Sequence, residues 1–142
     1  MGLEEALIEA AAYFVRETLG GEAKQALSTP RKRAWAASVD TTNGERRRVS
    51  AYISKPSLKQ MAKLFLNEES PTDEVLRDLI GEIANLIVGR AKALASDRGF
   101  KFDMSPPRFE GKAVTIGKNA DKNLHFTFAK DAFTISASRI QV

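Results

Sequence analysis

Glu82 and Asn85 stand three residues apart in the segment GEIANLIVGRAK (residues 81–92), which also holds Gly81 and Gly89. On a helix, residues at this spacing project side by side. The pair sets a carboxylate, acceptor-only when ionised, beside a carboxamide that donates and accepts without changing its charge. A glycine inside a helix costs about 1 kcal/mol relative to alanine, and asparagine is also a poor helix former. Three such residues around one glutamate suggest a surface cleared for close approach by another molecule. Equally, either glycine can let another element of the same chain pack tightly, and spacing alone leaves both readings open.

The element that must position the pair is a helix expected over about residues 71–98. Ser70 is placed to cap it, Pro71 suits its first position, Asp73 sits where a capping-box acid belongs, and Arg98-Gly99 ends it. At ~100° per residue, Val75, Leu76, Leu79, Ile80, Ile83, Ala84, Leu86, Ile87, Ala91 and Leu94 fill one broad arc, expected to be buried. Glu74, Asp78, Gly81, Glu82, Asn85, Gly89, Lys92 and Ser96 fall on the opposite arc, expected to face solvent, with Asp78 and Lys92 flanking the Glu82 and Asn85 patch.

Around this helix the periodicity predicts a first helix over residues 2–19, stopped by Gly20-Gly21, and a hairpin of strands 34–41 and 46–54 turning at Asn43-Gly44. A short helix begins near Pro56 and breaks at Asn67-Glu68-Glu69. After Ser105-Pro106-Pro107, which forbids helix, strands follow at 108–116, 123–129 and 132–140. The order α-β-β-α-α-β-β-β, with hairpin-length loops within each group of strands, predicts an α+β domain with a largely antiparallel sheet and helices packed on it. Residues 1–142 read as a single domain.

Composition narrows the chemistry. The chain lacks cysteine, which excludes disulfides, thiolate metal sites and a cysteine nucleophile, and a reducing cytoplasm is the expected compartment. Glu4, Glu5 and Glu9 do not suit a secretory signal, and no apolar run reaches the roughly 20 residues of a membrane span. A formal charge of +4 favours an acidic partner without requiring a nucleic acid. Neither a glycine-rich phosphate loop nor a serine nucleophile motif is present. His125, the only histidine, has no neighbouring metal-ligand type and is expected to pack in a strand, as is Trp35 to pack in the core.

Gly81-Glu82-Ile83-Ala84-Asn85, Gly89, and Phe102-Asp103-Met104-Ser105-Pro106-Pro107 together resemble the chemotaxis phosphatase family of CheX, CheC and FliY, whose hallmark is Glu-x-x-Asn on an exposed helix. The resemblance implies a CheX/CheC-like fold and an enzyme that hydrolyses the aspartyl phosphate of a CheY-type response regulator. The regulator then supplies the phosphorylated aspartate, a Mg²⁺ and a lysine, so no cofactor is expected to bind this chain. Glu82 and Asn85 take the catalytic positions: Asn85 orients the attacking water through its carbonyl oxygen or its amide nitrogen, and Glu82 pairs with the partner's lysine. Gly81, Gly89, Asp78 and Lys92 are the expected partner-binding residues. Helix 1 carries no Glu-x-x-Asn, so one site per chain is expected, as in CheX. The resemblance also implies a homodimer joined through its sheets, which Glu45-Arg46-Arg47-Arg48, read as lying on an outer strand, would oppose.

Two other functions fit parts of the sequence. A nucleic-acid module would rest on Arg31-Lys32-Arg33 and Arg46-Arg47-Arg48, but strand alternation splits the second cluster and aromatic residues are not interleaved with either. A non-catalytic adaptor of the same fold would grip the response regulator without hydrolysing it, and only turnover separates it from a phosphatase.

Overall fold

The computed structural model describes residues 2–140. α1 (Leu3–Phe14) continues into a wider π-helical turn at Val15–Leu19 that ends at Gly20, whose φ of 73° suits a residue without a side chain. Next come β1 (Lys24–Ala26), β2 (Arg33–Thr42), β3 (Arg46–Ile53), α2 (Lys55–Leu66) and α3 (Asp73–Asp97). The chain closes with β4 (Asp103–Met104), β5 (Arg108–Thr115), β6 (Lys122–Phe128) and β7 (Asp131–Arg139). The expected α+β class and helix order hold. β1 and β4 were not foreseen, because strands of two or three residues carry no alternation to read.

All pairings are antiparallel, in the order β1-β6-β7-β3-β2, and both β4 and β5 pair with the far edge of β2. Strand alternation sends Trp35, Ala37, Val39, Val49, Ala51, Ile53, Phe126 and Ile135 toward the three helices, where they join one core with Leu7, Leu58, Met61 and Ile80. The other face is largely polar and satisfied. Ser136 Oγ donates to Asn123 Oδ1 at 2.7 Å, and His125 Nδ1 meets Thr134 Oγ1 at 2.8 Å. Trp35 is 4% exposed and meets Phe109 edge-on at 5.8 Å between centroids.

Two expectations need correction. α3 is capped by Thr72, not Ser70: its side chain accepts from Val75 N at 3.3 Å, and Pro71 lies outside the helix. Asp73 is then the first helical residue instead of a capping-box acid. Its carboxylate takes Lys112 Nζ at 2.7 Å and Lys55 Nζ at 3.2 Å, tying the start of α3 to β5 and α2. These contacts, the hydrogen bond from Lys112 foremost, hold the Asp73 carboxyl below its ordinary pKa. The second correction concerns Arg46, Arg47 and Arg48. They lie on β3, an interior strand between β2 and β7, so they do not guard an edge. Arg48 reaches Asp40 at 3.1 Å and Arg47 reaches Glu45 at 3.0 Å.

The segment between β4 and β5 is fixed by Asp40. Ser105 N donates to Asp40 O at 2.9 Å, and Asp40 N donates to Ser105 Oγ at 2.9 Å. These bonds continue the β2 edge where Pro106 and Pro107 have no N–H to donate. Beyond the prolines, Glu110 accepts from Ser38 Oγ at 2.6 Å and from Arg108 Nε at 2.8 Å. Burial pushes the Glu110 carboxyl up, but the bonds from Ser38 and Arg108 and the charges of Arg108 and Arg48 outweigh it, and the net shift is downward. The folded carboxyl therefore holds its proton less tightly than the unfolded one. Its contribution to stability is full above the ordinary glutamate value of 4.5 and is lost as pH falls through the lower folded value. Urea midpoints measured from pH 6 to pH 3 are expected to fall less steeply for Glu110→Gln than for the parent; parallel profiles would show that the network adds nothing.

Candidate functional site

α3 puts Glu82 in solvent and leaves Asn85, Gly81 and Gly89 half-buried. Directly beneath, Ile83, Ala84, Ile87 and Val88 are each at most 2% exposed. Burying one such aliphatic side chain stabilises by about 1.5–3 kcal/mol, so the helix cannot roll the pair inward without opening the core. The side chain of neither Glu82 nor Asn85 is engaged by a hydrogen bond or ion pair with another described residue. Both functional groups are thus free for a second molecule, and they sit on a rod of 25 residues with a firm footing.

A methyl group built at Gly81 would lie 3.8 Å from Pro107 Cβ, and one at Gly89 would lie 4.0 Å from Met104 Sδ, both ordinary contact distances. The Asp103-Met104-Ser105-Pro106-Pro107 segment is therefore a wall beside α3, a role the sequence did not disclose. Close packing does not require either glycine, and an alanine would fit. Gly81→Ala is expected to raise stability by about 0.5–1 kcal/mol in a urea melt through its helix preference; a loss would mean that the added methyl does not fit against Pro107.

The other expected partner-binding residues divide. Asp78 is exposed one turn before Glu82. Lys92 lies two turns beyond Asn85 and lines a separate depression with Lys101, Asp103 and Asn43 near the β2–β3 hairpin, so the structure does not bring it to the pair. Leu86, expected in the buried arc, is 37% exposed, while Val88, absent from that arc, is 1% exposed. The sheet and β4 pack against α3 and Val88 joins their shared core, whereas Leu86 lines the gap between α3 and α1. That gap is a groove of about 410 Å³, lined by Tyr13 and Phe14 of α1 and by Asn85, Leu86, Gly89 and Arg90 of α3. Tyr13 and Arg90 sit on different helices, so no local pattern in the sequence links them. Among the described residues, no group of three or more His, Asp or Glu side chains is arranged to hold a metal ion, and no helix is long and apolar enough to cross a membrane.

Among the described residues, a seven-stranded antiparallel sheet backed by three helices gives the fold of the chemotaxis proteins CheX and CheC. The family model for the chemotaxis phosphatase CheX matches residues 35–129, well over half of the chain and including Glu82, Asn85 and Ser105-Pro106-Pro107, and the chain belongs to the CheX family. Among solved structures it is similar to the chemotaxis protein CheX of Vibrio vulnificus, with a TM-score of 0.84 and 18% identity over 99% of this chain and 97% of that one. A CheC-like superfamily protein from a Shewanella species gives a TM-score of 0.77 and 21% identity over 99% and 100% of the two chains. A complex of CheX with CheY, beryllium trifluoride and Mg²⁺ from Borrelia burgdorferi gives a TM-score of 0.75 and 19% identity over 99% of each chain. No curated protein sequence matches the chain.

Proposed function

We propose that this protein is a phosphatase that stimulates hydrolysis of the aspartyl phosphate on a CheY-type response regulator. Membership of the CheX family and the likeness to a CheX that binds CheY support this reading. The observation that carries it is the freedom of Glu82 and Asn85, side by side on the outer face of a helix whose inner face is anchored in the core.

The reaction transfers the phosphoryl group to water. A water oxygen forms a bond to phosphorus, the bond from phosphorus to the aspartyl oxygen breaks, and inorganic phosphate and a free carboxylate result. Positioning and charge stabilisation dominate such reactions. Asn85 holds the water in line with the departing carboxylate, using its amide without any change of charge. Glu82 pairs with the regulator's lysine and fixes the register of docking. The Mg²⁺ belongs to the regulator, whose carboxylates would hold it beside the phosphoryl oxygens.

The test is a turnover assay. A purified CheY-type regulator is charged with acetyl phosphate, and inorganic phosphate release is followed after adding this protein in substoichiometric amount. Repeated turnover is expected. Tight binding with unchanged decay of the phosphoryl group would make the protein an adaptor instead.

A further inference from the structure

We propose that the groove between α1 and α3 is a second docking contact that receives the acidic rim of the regulator's phosphorylation site; this rests on the phosphatase reading of Asn85. Three observations on that groove converge. Asn85 is part of its lining, so whatever meets the Asn85 amide also overlies the groove. Leu86, next in sequence to Asn85, is 37% exposed there, an apolar side chain only partly covered. Arg90 is the one charged residue among those lining the groove, and its guanidinium carbon sits 3.8 Å from the Tyr13 ring centroid.

The charge decides which occupant fits. Arg16 and Arg98, which line an adjacent depression together with Arg90, are matched by acids of this chain: Arg16 Nε lies 3.2 Å from Glu17, and Arg98 lies 2.9 Å from Glu9. Arg90 makes no ion pair within this chain among the described residues. Stacking on Tyr13 holds its guanidinium in place, so little ordering remains when an anion arrives. An acyl-phosphate site that binds Mg²⁺ must be ringed with carboxylates. Docked with its phosphoryl group at Asn85, such a surface presents carboxylates to Arg90 and apolar rim atoms to Leu86 and Tyr13. The groove then sets affinity and choice of regulator, while Asn85 sets the rate.

The experiment uses the full chain and a CheY-type receiver domain carrying beryllium trifluoride and Mg²⁺, a stable stand-in for the aspartyl phosphate. Arg90→Glu is expected to weaken binding about tenfold or more, to raise KM for the phosphorylated receiver similarly, and to leave kcat within about twofold, whereas Arg90→Lys retains most of the affinity. Arg90 is exposed and the variant loses only the stacking on Tyr13, so it should keep the parent's circular dichroism and melt within a few degrees of it. Unchanged binding and KM in Arg90→Glu, with the parent active, would overturn the groove proposal and leave the phosphatase reading standing. A parent protein that binds no charged receiver would overturn both. A parent dimer that Arg90→Glu converts to monomer, without loss of receiver binding, would assign the groove to a second copy and overturn the proposal.

Discussion

Asn85→Ala is expected to fold like the parent, bind a charged receiver within about twofold, and lose on the order of 10²-fold of its stimulation of dephosphorylation. The factor corresponds to about 2.7 kcal/mol, a fair contribution for a single well-placed dipole in a transition state. Asn85 is half-buried and its side chain makes no hydrogen bond within this chain among the described residues, so removing its amide orphans no internal partner. Alanine is also the better helix former, and the variant should be no less stable. The loss should fall on kcat and leave KM nearly unchanged, because the amide acts on water and not on docking. Glu82→Lys should give the complementary pattern, a raised KM, by setting a cation against the partner's lysine. Full activity in Asn85→Ala would remove the water-positioning role, whatever the fate of Glu82.

The second large effect lies under the site. Ile83 sits between Glu82 and Ala84 on the inner face of α3 and is fully buried. Ile83→Ala deletes three buried carbons and leaves a cavity in a close-packed core, at a cost of about 2–5 kcal/mol. For a domain of this size the thermal midpoint should fall by roughly 6–15 °C. Measured well below that midpoint, the remaining folded protein should still dephosphorylate the regulator, since neither functional group has been touched. A cost under about 1 kcal/mol would mean that α3 is not anchored as described, and would remove the physical reason for the outward presentation of Glu82 and Asn85.

How much of this was legible in advance follows from what local patterns can encode. The inner and outer arcs of α3 come from a period of 3.6 residues, and Leu76, Leu79, Ile80, Ile83 and Ile87 are buried as that period requires. The β2–β3 hairpin follows from Asn43-Gly44, with Asn43 N bonded to Glu45 O at 3.2 Å and Gly44 at a φ of 87°. Helix starts were less secure: Ser70 and Thr72 are both good caps, and packing of Asp73 between Lys55 and Lys112 accompanies the later start.

The sequence by itself determined that α3 would be two-faced and that a carboxylate and a carboxamide would share its polar side, because both properties depend only on residue type and helical pitch. Tertiary structure alone decided that Leu86 is partly exposed while Val88 is buried, that the Arg46-Arg47-Arg48 run lies on an interior strand, and that Pro107 and Met104 flank the glycines. It also brought Tyr13 under Arg90. Each of these depends on which distant segment supplies the neighbour, and strand order and helix docking are settled by burial across the whole chain, a sum that no single stretch of residues contains.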